Sequence, residues 1–342
     1  MLNIPQKLKK GDYIGVTATS GGLEDKAGLN KLENAIKNMQ IQGFNVIETE
    51  NVRKCEKLVS SSGKERAEEF LKLWKDEKIK YIITARGGEF LMEMLPFIDK
   101  ETIKNYGPKW VQGFSDTSLL LFYITTNFYI PTIHANNFSS YGMKDLHESM
   151  TRTIEILKNS NNCNNQNNFE MYESYSINRE EGKELEPYNL TERVQYKNLY
   201  NNDKEIIKGR LLGGCIDVLK VILGTPYDNT NVFCQQFSEG IVWYLENCEM
   251  SIAELYRALW QMKMAGWFNN TKGFLIGRTR ASASIGEFTY EDVLHSVFDD
   301  MDVPVIYDMD FGHVMPQLTL VNGGKTEFLY ENGNGKISIE IK

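Results

Sequence analysis

Ser115, Glu246 and His313 are the residues of this chain whose types and order could do covalent chemistry. In "WVQGFSDTSLLLFYITT" (110–126) a strand-like run passes through Gly113 and Ser115 into a longer apolar stretch that begins a helix. A serine at that junction has two physical uses. It can cap the helix by accepting a backbone N–H, or it can stand on a tight elbow as a nucleophile beside an exposed helix N-terminus. The G-x-S-x-G form of the elbow is incomplete here, because Thr117 occupies the second glycine position.

A serine needs a base to take its proton, and the base needs a third group to orient it. Four histidines are available. His295 lies on the helical pattern "YEDVLHSVFDD" and His147 in a charged segment, both suited to surface or half-buried roles. His134, in "IPTIHANNFSS", could line a site or satisfy backbone groups. His313, in "DMDFGHVMP", follows a strand and a glycine and precedes a proline, so it is the candidate base. For the orienting acid, "GIVWYLENCEM" (240–250) is an apolar strand that meets its first charge at Glu246. A carboxylate there either emerges into solvent or is buried and requires a partner. The order Ser, Glu, His is one of several found in hydrolases.

The elements that must position these residues alternate between strand and helix, which makes βαβ units and a parallel sheet. "YIGVTATSGG" (13–22) reads as the first strand and turn, 26–43 as the crossover helix, "FNVIET" as the next strand, 63–78 as a helix and 80–88 as a strand ending in a glycine pair. The expected fold is α/β: an N-terminal, open, mostly parallel sheet with flanking helices, and a smaller C-terminal α/β domain. The run "NSNNCNNQNN" (159–168) holds seven asparagines in ten positions and reads as a linker. The expected division is therefore 1–158 with the nucleophile, a polar linker or substrate loop over 159–208, and 209–342 with Glu246 and His313. A length of 342 residues suits two domains at about 150 residues each.

Composition narrows the function. A net charge of −8 with interspersed signs argues against a nucleic-acid polymer as partner. Five scattered cysteines without a C-x-x-C pair suit a reduced, cytoplasmic protein. No run approaches the roughly 20 apolar residues of a membrane span, so no membrane is expected. No H-E-x-x-H or close His/Cys cluster appears along the sequence, so no catalytic metal and no cofactor are expected. "GGKT" (323–326) lacks the leading glycine of a phosphate loop and reads as a hairpin turn, as does "ENGNGK" (331–336). Arg86, Arg278 and Arg280 could hold a substrate carboxylate or phosphate, or serve structure.

"ITARGGEFLMEMLPFID", "VQGFSDTSLLL", "LLGGCIDVLKVILGTPYD", "VWYLEN" and "DFGHVMP", in this order over nearly the whole chain, resemble the LD-carboxypeptidase family of serine peptidases. The resemblance implies Ser115 as nucleophile, His313 as general base and then acid, and Glu246 as the group orienting it. It also implies an oxyanion hole from the backbone N–H groups of Gly88 and Asp116, a substrate site near Arg86, Glu89 and Arg278, and a homodimer. Two branches differ in substrate. Muropeptide carboxypeptidases are shorter and often continue the glycine pair with tyrosine and glycine, where Glu89 and Phe90 stand here. The longer middle segment, "GGCIDVL" and "AGWFNNTKGFLIGR" are more similar to the microcin C immunity branch, which hydrolyses the amide between an amino acid and a modified nucleotide. An aromatic of the middle segment can stack on the base there. This chain has no tryptophan between Trp110 and Trp243, although Tyr172, Tyr175, Tyr188 and Tyr196 are present. The expected partner is thus a small peptide or aminoacyl-nucleotide substrate, with an inactive ligand-binding protein as the reading from another class.

Overall fold

Two sheets carry the chain in the computed structural model, which describes residues 1–158 and 164–342. The first sheet grows by strand and crossover: β1 (Tyr13–Thr17), α1 (Lys26–Ile41), β2 (Asn45–Glu48), α2 (Gly63–Lys75), β3 (Ile79–Thr84), α3 (Lys100–Asn105), β4 (Trp110–Gly113), α4 (Ser118–Phe128) and β5 (Thr132–His134). α5 (Glu148–Lys158) closes this part of the chain. Local signals start the helices. Asp25 caps α1 by accepting from Gly28 N–H, and Ser62 with Glu65 forms a capping box on α2. Inward-facing Ala67, Phe70, Leu71 and Trp74 pin α2 to the core, at about 2 kcal/mol for each large side chain removed from water.

β3 and β4 are apolar almost end to end because helices cover both their faces. The strands lie in the order β2-β1-β3-β4-β5, all parallel, with one further strand beyond β5. Chain order reverses between β1 and β3, and in such sheets ligands bind outside the carboxyl ends of the strands near that reversal. Ser20, Gly87 and Ser115 all follow carboxyl ends there.

After residue 163 come β6 (Asn164–Asn167), β7 (Met171–Tyr172), β8 (Glu192–Arg193) and β9 (Lys197–Asn198). The asparagine-rich run expected to be a linker lies partly outside the described residues, and its second half is β6. The chain then builds β10 (Lys204–Cys215), α6 (Ile216–Leu219), α7 (Thr230–Gln235), β11 (Ile241–Glu246), α8 (Ile252–Met264), β12 (Thr271–Gly277), α9 (Tyr290–Phe298) and β13 (Val305–Met309). Last come β14 (Leu320–Asn322), β15 (Lys325–Glu331) and β16 (Asn334–Glu340). The second sheet has eight strands in the order β6-β16-β15-β10-β11-β12-β13-β9, with β10 to β13 parallel. β6 and β9 join it from the segment before β10, so it has more strands than the six of the first sheet.

β14 does not join that sheet. It pairs antiparallel with β5 and completes the first one. The expected hairpin at "GGKT" is therefore corrected: Gly323, at φ 83°, turns the chain from one sheet to the other. "ENGNGK" does form a hairpin, between β15 and β16.

α4 is the seam. Ten of its eleven residues are buried, which a one-sided amphipathic helix would not show, because it lies between the two sheets. Phe122 stacks on Trp267 at 5.1 Å and on Trp243, in β11, at 6.3 Å. The apolar stretch after Ser115 thus ties the serine's elbow to the strand that ends in Glu246.

Candidate active site

The elbow is real in the backbone. Ser115 has φ 63°, a left-handed conformation uncommon for a residue with a side chain. It follows Phe114 after β4 and opens the short helical turn 115–117 that leads into α4. The alternative use as a cap is not taken, since neither this turn nor α4 has a side-chain cap. Gly87, after β3, makes the close approach possible: a Cβ there would lie 2.8 Å from both Cβ and Oγ of Ser115.

Ser115 Oγ instead lies 3.0 Å from His313 Nε2, and His313 Nδ1 lies 2.9 Å from Glu246 Oε2. The three residues come from β4's end, the loop after β13 and the last position of β11. Glu246 has no exposed surface, and Gly312, at φ 98°, leaves room for it: a Cβ there would lie 2.8 Å from Glu246 Oε2. Burial alone would lower the His313 pKa, but the Glu246 carboxylate and Cys248 together outweigh it and hold the imidazole well above its ordinary value. Phe114 packs against the His313 ring at 5.2 Å.

Asp116 turns its carboxylate away from Ser115. It accepts from Ser20 Oγ at 2.5 Å and from Leu91 N–H at 2.9 Å, which fastens the loop after β3 to the start of the serine's helical turn. Burial raises its pKa, opposed by these hydrogen bonds and by Arg66. Gly21 N–H donates to Gly87 O at 3.1 Å from the neighbouring strand end. Gly88 abuts Ser20 rather than Ser115. Ser20 and Gly87 were not singled out in the sequence, although "TSGG" and the glycine pair after β3 marked both strand ends.

The other candidates are dispersed. Arg86 and Glu89 are exposed in the loop after β3, Arg86 reaching Gly22 O at 3.5 Å. Burial, then the nearby carboxylates of Glu249 and Asp116, raises the Glu89 pKa. Arg278 is buried and engaged: it donates to Asp310 Oδ1 and to Asp308 O, and its guanidinium lies 4.0 Å over the Tyr172 ring. Arg280 is exposed and donates to Glu173 O. His134 is buried beneath Phe114 and stacks on Tyr244 at 5.3 Å, with neither ring nitrogen hydrogen-bonded among the described residues. His147 packs between Phe169 and Tyr188, and His295, on α9, pairs with Asp299 just past the helix.

A cavity of ≈ 170 Å³ opens beside His313, lined among others by Lys31, Glu173, Arg179, Glu184 and Tyr188. Of the four tyrosines, Tyr188 lines it, Tyr175 is exposed, Tyr172 carries Arg278, and Tyr196 is buried on Asp310. No close His/Cys spacing appears along the sequence, but the fold gathers one such group in space. Cys215 Sγ, a Glu246 carboxylate oxygen and a His313 ring nitrogen lie within 4.8 Å of one another. Segments far apart in sequence meet here, so no local spacing could announce the cluster.

Residues 14–135 match the LD-carboxypeptidase N-terminal domain and residues 208–328 the LD-carboxypeptidase C-terminal domain. The microcin C7 self-immunity protein MccF of Escherichia coli is 28% identical, over 97% of this chain and 94% of that protein. A probable murein peptide carboxypeptidase of Bacillus subtilis is 23% identical over 94% and 90%. The solved structure of MccF in complex with glutamyl sulfamoyl guanosine is similar with a TM-score of 0.84 and 25% identity, covering 99% of each chain. With both domains matched and the two-sheet fold shared, the chain belongs to the LD-carboxypeptidase family of serine-type hydrolases, and its likeness to the microcin C immunity branch runs through its whole length.

Proposed function

We propose that this protein hydrolyses the amide between an aminoacyl or peptidyl group and a modified nucleotide, with Ser115, His313 and Glu246 as its catalytic triad. The observation that carries the reading is the unbroken chain from Ser115 Oγ through His313, at 3.0 and 2.9 Å, to a carboxylate with no exposure. Ser115 Oγ attacks the amide carbonyl while His313 Nε2 takes its proton. Glu246, accepting from Nδ1–H, holds the tautomer and stabilises the imidazolium. The backbone N–H groups of Gly88 and Asp116 are the proposed donors to the oxyanion. His313 then protonates the leaving nitrogen, and water, activated by the same ring, releases the acyl group and restores Ser115.

The cavity beside His313 supports a small substrate bearing both signs of charge. It presents Lys31 and Arg179 together with Glu173 and Glu184, and Tyr188 offers a ring to a base. A muropeptide tetrapeptide is the second reading, favoured by the same cations, which suit a peptide's terminal carboxylate. Free thiols at Cys55, Cys215, Cys234 and Cys248 suit the cytoplasm, and family resemblance is the ground for a homodimer, tested by light scattering. The deciding experiment compares kcat/KM on aminoacyl sulfamoyl adenylates and on a muropeptide tetrapeptide. Preference for the adenylate supports the proposal; preference for the tetrapeptide moves the chain to the second reading; a chain that cuts neither and resists a serine-reactive phosphonate is a binding protein.

A further inference from the structure

The far side of the His313–Glu246 pair holds a thiol that the reaction does not use. Cys215, the last residue of β10, stands opposite Glu246 in the parallel register of β10 and β11. Both are buried. Cys215 Sγ, a Glu246 carboxylate oxygen and a His313 ring nitrogen all lie within 4.8 Å of one another. Glu246 Oε1 accepts no hydrogen bond from the described residues, while the Cys215 thiol is directed at Asp217 Oδ2 at 3.5 Å. Cys248, two residues past Glu246, brings a second thiol against the His313 ring.

Thiolate, imidazole and carboxylate are the donors that Zn²⁺ takes together, at about 2.0–2.3 Å each, which sets neighbouring ligand atoms roughly 3.3–3.8 Å apart in a tetrahedron. The three atoms, now within 4.8 Å of one another, must close to that spacing for the ion to bind. The His313 side chain keeps 22% of its surface exposed, so the group is not sealed from solvent.

We infer that Cys215, Glu246 and His313 form a Zn²⁺ site that switches the hydrolase off. The ion bonds to the Cys215 sulfur, to Glu246 and to His313 Nδ1, with water in the fourth position. The Cys215 proton leaves to solvent, and the proton on Nδ1 is replaced by the metal and relocates to Nε2. One proton is released for each ion bound to the neutral imidazole, and two where the ring starts as the imidazolium that Glu246 favours. An Nε2 that carries a hydrogen cannot accept one from Ser115, so the metal fixes the tautomer that cannot act as base.

Co²⁺, which takes the same ligands and has absorption bands of its own, is the probe. Titrated into the full chain, it should give thiolate-to-cobalt charge-transfer absorption in the near ultraviolet, saturating at one ion per chain and displaced by Zn²⁺. Cys215→Ser should abolish the band and Cys55→Ser keep it, with Cys215→Ala in place of the serine variant if that does not fold. No band in the native chain, or a band that survives loss of the Cys215 thiol, overturns the site. The switch is read without any variant: saturating Zn²⁺ should slow phosphonate labelling of Ser115 by about a hundredfold or more, reversibly with a chelator. Labelling at an unchanged rate overturns the switch. Absence of labelling before any metal is added would instead sink Ser115 as nucleophile, which is the part of the proposed function on which the switch rests.

Discussion

Asn322 accepts a hydrogen bond from the Tyr244 hydroxyl at 2.9 Å, and this contact joins the two sheets. Asn322 sits on β14 in the first sheet, whereas Tyr244 lies on β11 of the second, two residues before Glu246. The same oxygen accepts from Gly213 N–H of β10 at 2.9 Å. Both sheets are thereby referenced to one side chain with no solvent exposure. Replacing Asn322 by Leu leaves two buried donors without an acceptor, at about 1–3 kcal/mol each. Urea unfolding should show a loss of about 2–6 kcal/mol. A change below about 0.5 kcal/mol, the scatter of an ordinary surface substitution, would remove Asn322 from this role.

Ser115→Ala is expected to leave the unfolding midpoint within a degree or so of the native chain and to lower turnover by about 10³ or more, the loss of covalent catalysis. Glu246→Gln should depress kcat more than KM, because its proposed task is to support a charged His313 in the transition state rather than to bind substrate. Steady-state kinetics on whichever substrate the native chain cuts decide both. Near-native turnover in Ser115→Ala refutes the triad, and an unchanged kcat in Glu246→Gln reduces that residue to a structural acid.

Gly87→Ala tests the close approach at the elbow. Its new methyl would start 2.8 Å from Ser115 Oγ, inside contact distance, so the serine must shift. A displacement near 1 Å in a reacting group can lower the rate about 10²-fold. We expect that drop in kcat, with near-native circular dichroism. Full activity would show that the loop after β3 yields instead of the serine.

His134 gives the protein a built-in acid sensitivity. Burial, partly opposed by Glu246, pushes its imidazole down to about 4 from an unfolded value of 6.5. Above pH 6.5 both folded and unfolded chains carry it neutral. As pH falls from there toward 4 the unfolded chain takes up a proton that the folded chain refuses, so stability falls, by about 3 kcal/mol over the whole window. His134→Leu should remove that part of the decline. Parallel pH-stability curves for the two proteins between pH 6.5 and 4 would assign the acid sensitivity elsewhere.

What was legible in the sequence follows the range of the forces involved. The βα alternation, the helices starting at 26 and 63 and the hairpin at 331–336 rest on neighbours a few residues apart, and the structure has them. Ser115, Glu246 and His313 could be named as strand-end residues, and the structure brings them into one hydrogen-bonded chain. The passage of 323–326 between sheets was not legible, because a glycine turn reads the same whether its strands pair with each other or with different partners. The choice between Gly87 and Gly88 as the residue against Ser115 depends on how two loops face one another. The nearness of Cys215 to Glu246 depends on the β10–β11 register. Neither leaves a period or a spacing in the chain.

The late arrival of β14 has a consequence for biosynthesis. β5 is synthesised long before Leu320–Asn322, its antiparallel neighbour, leaves the ribosome. Until then the first sheet presents a bare edge, the kind of template on which nascent chains mispair or recruit chaperones. The segment that finally covers that edge follows His313 by only a few residues, so the strand that seals the older half is made together with the proposed base. A nascent chain stalled before Leu320 should therefore be cut readily by protease around β5, and one stalled well beyond Asn322 should not.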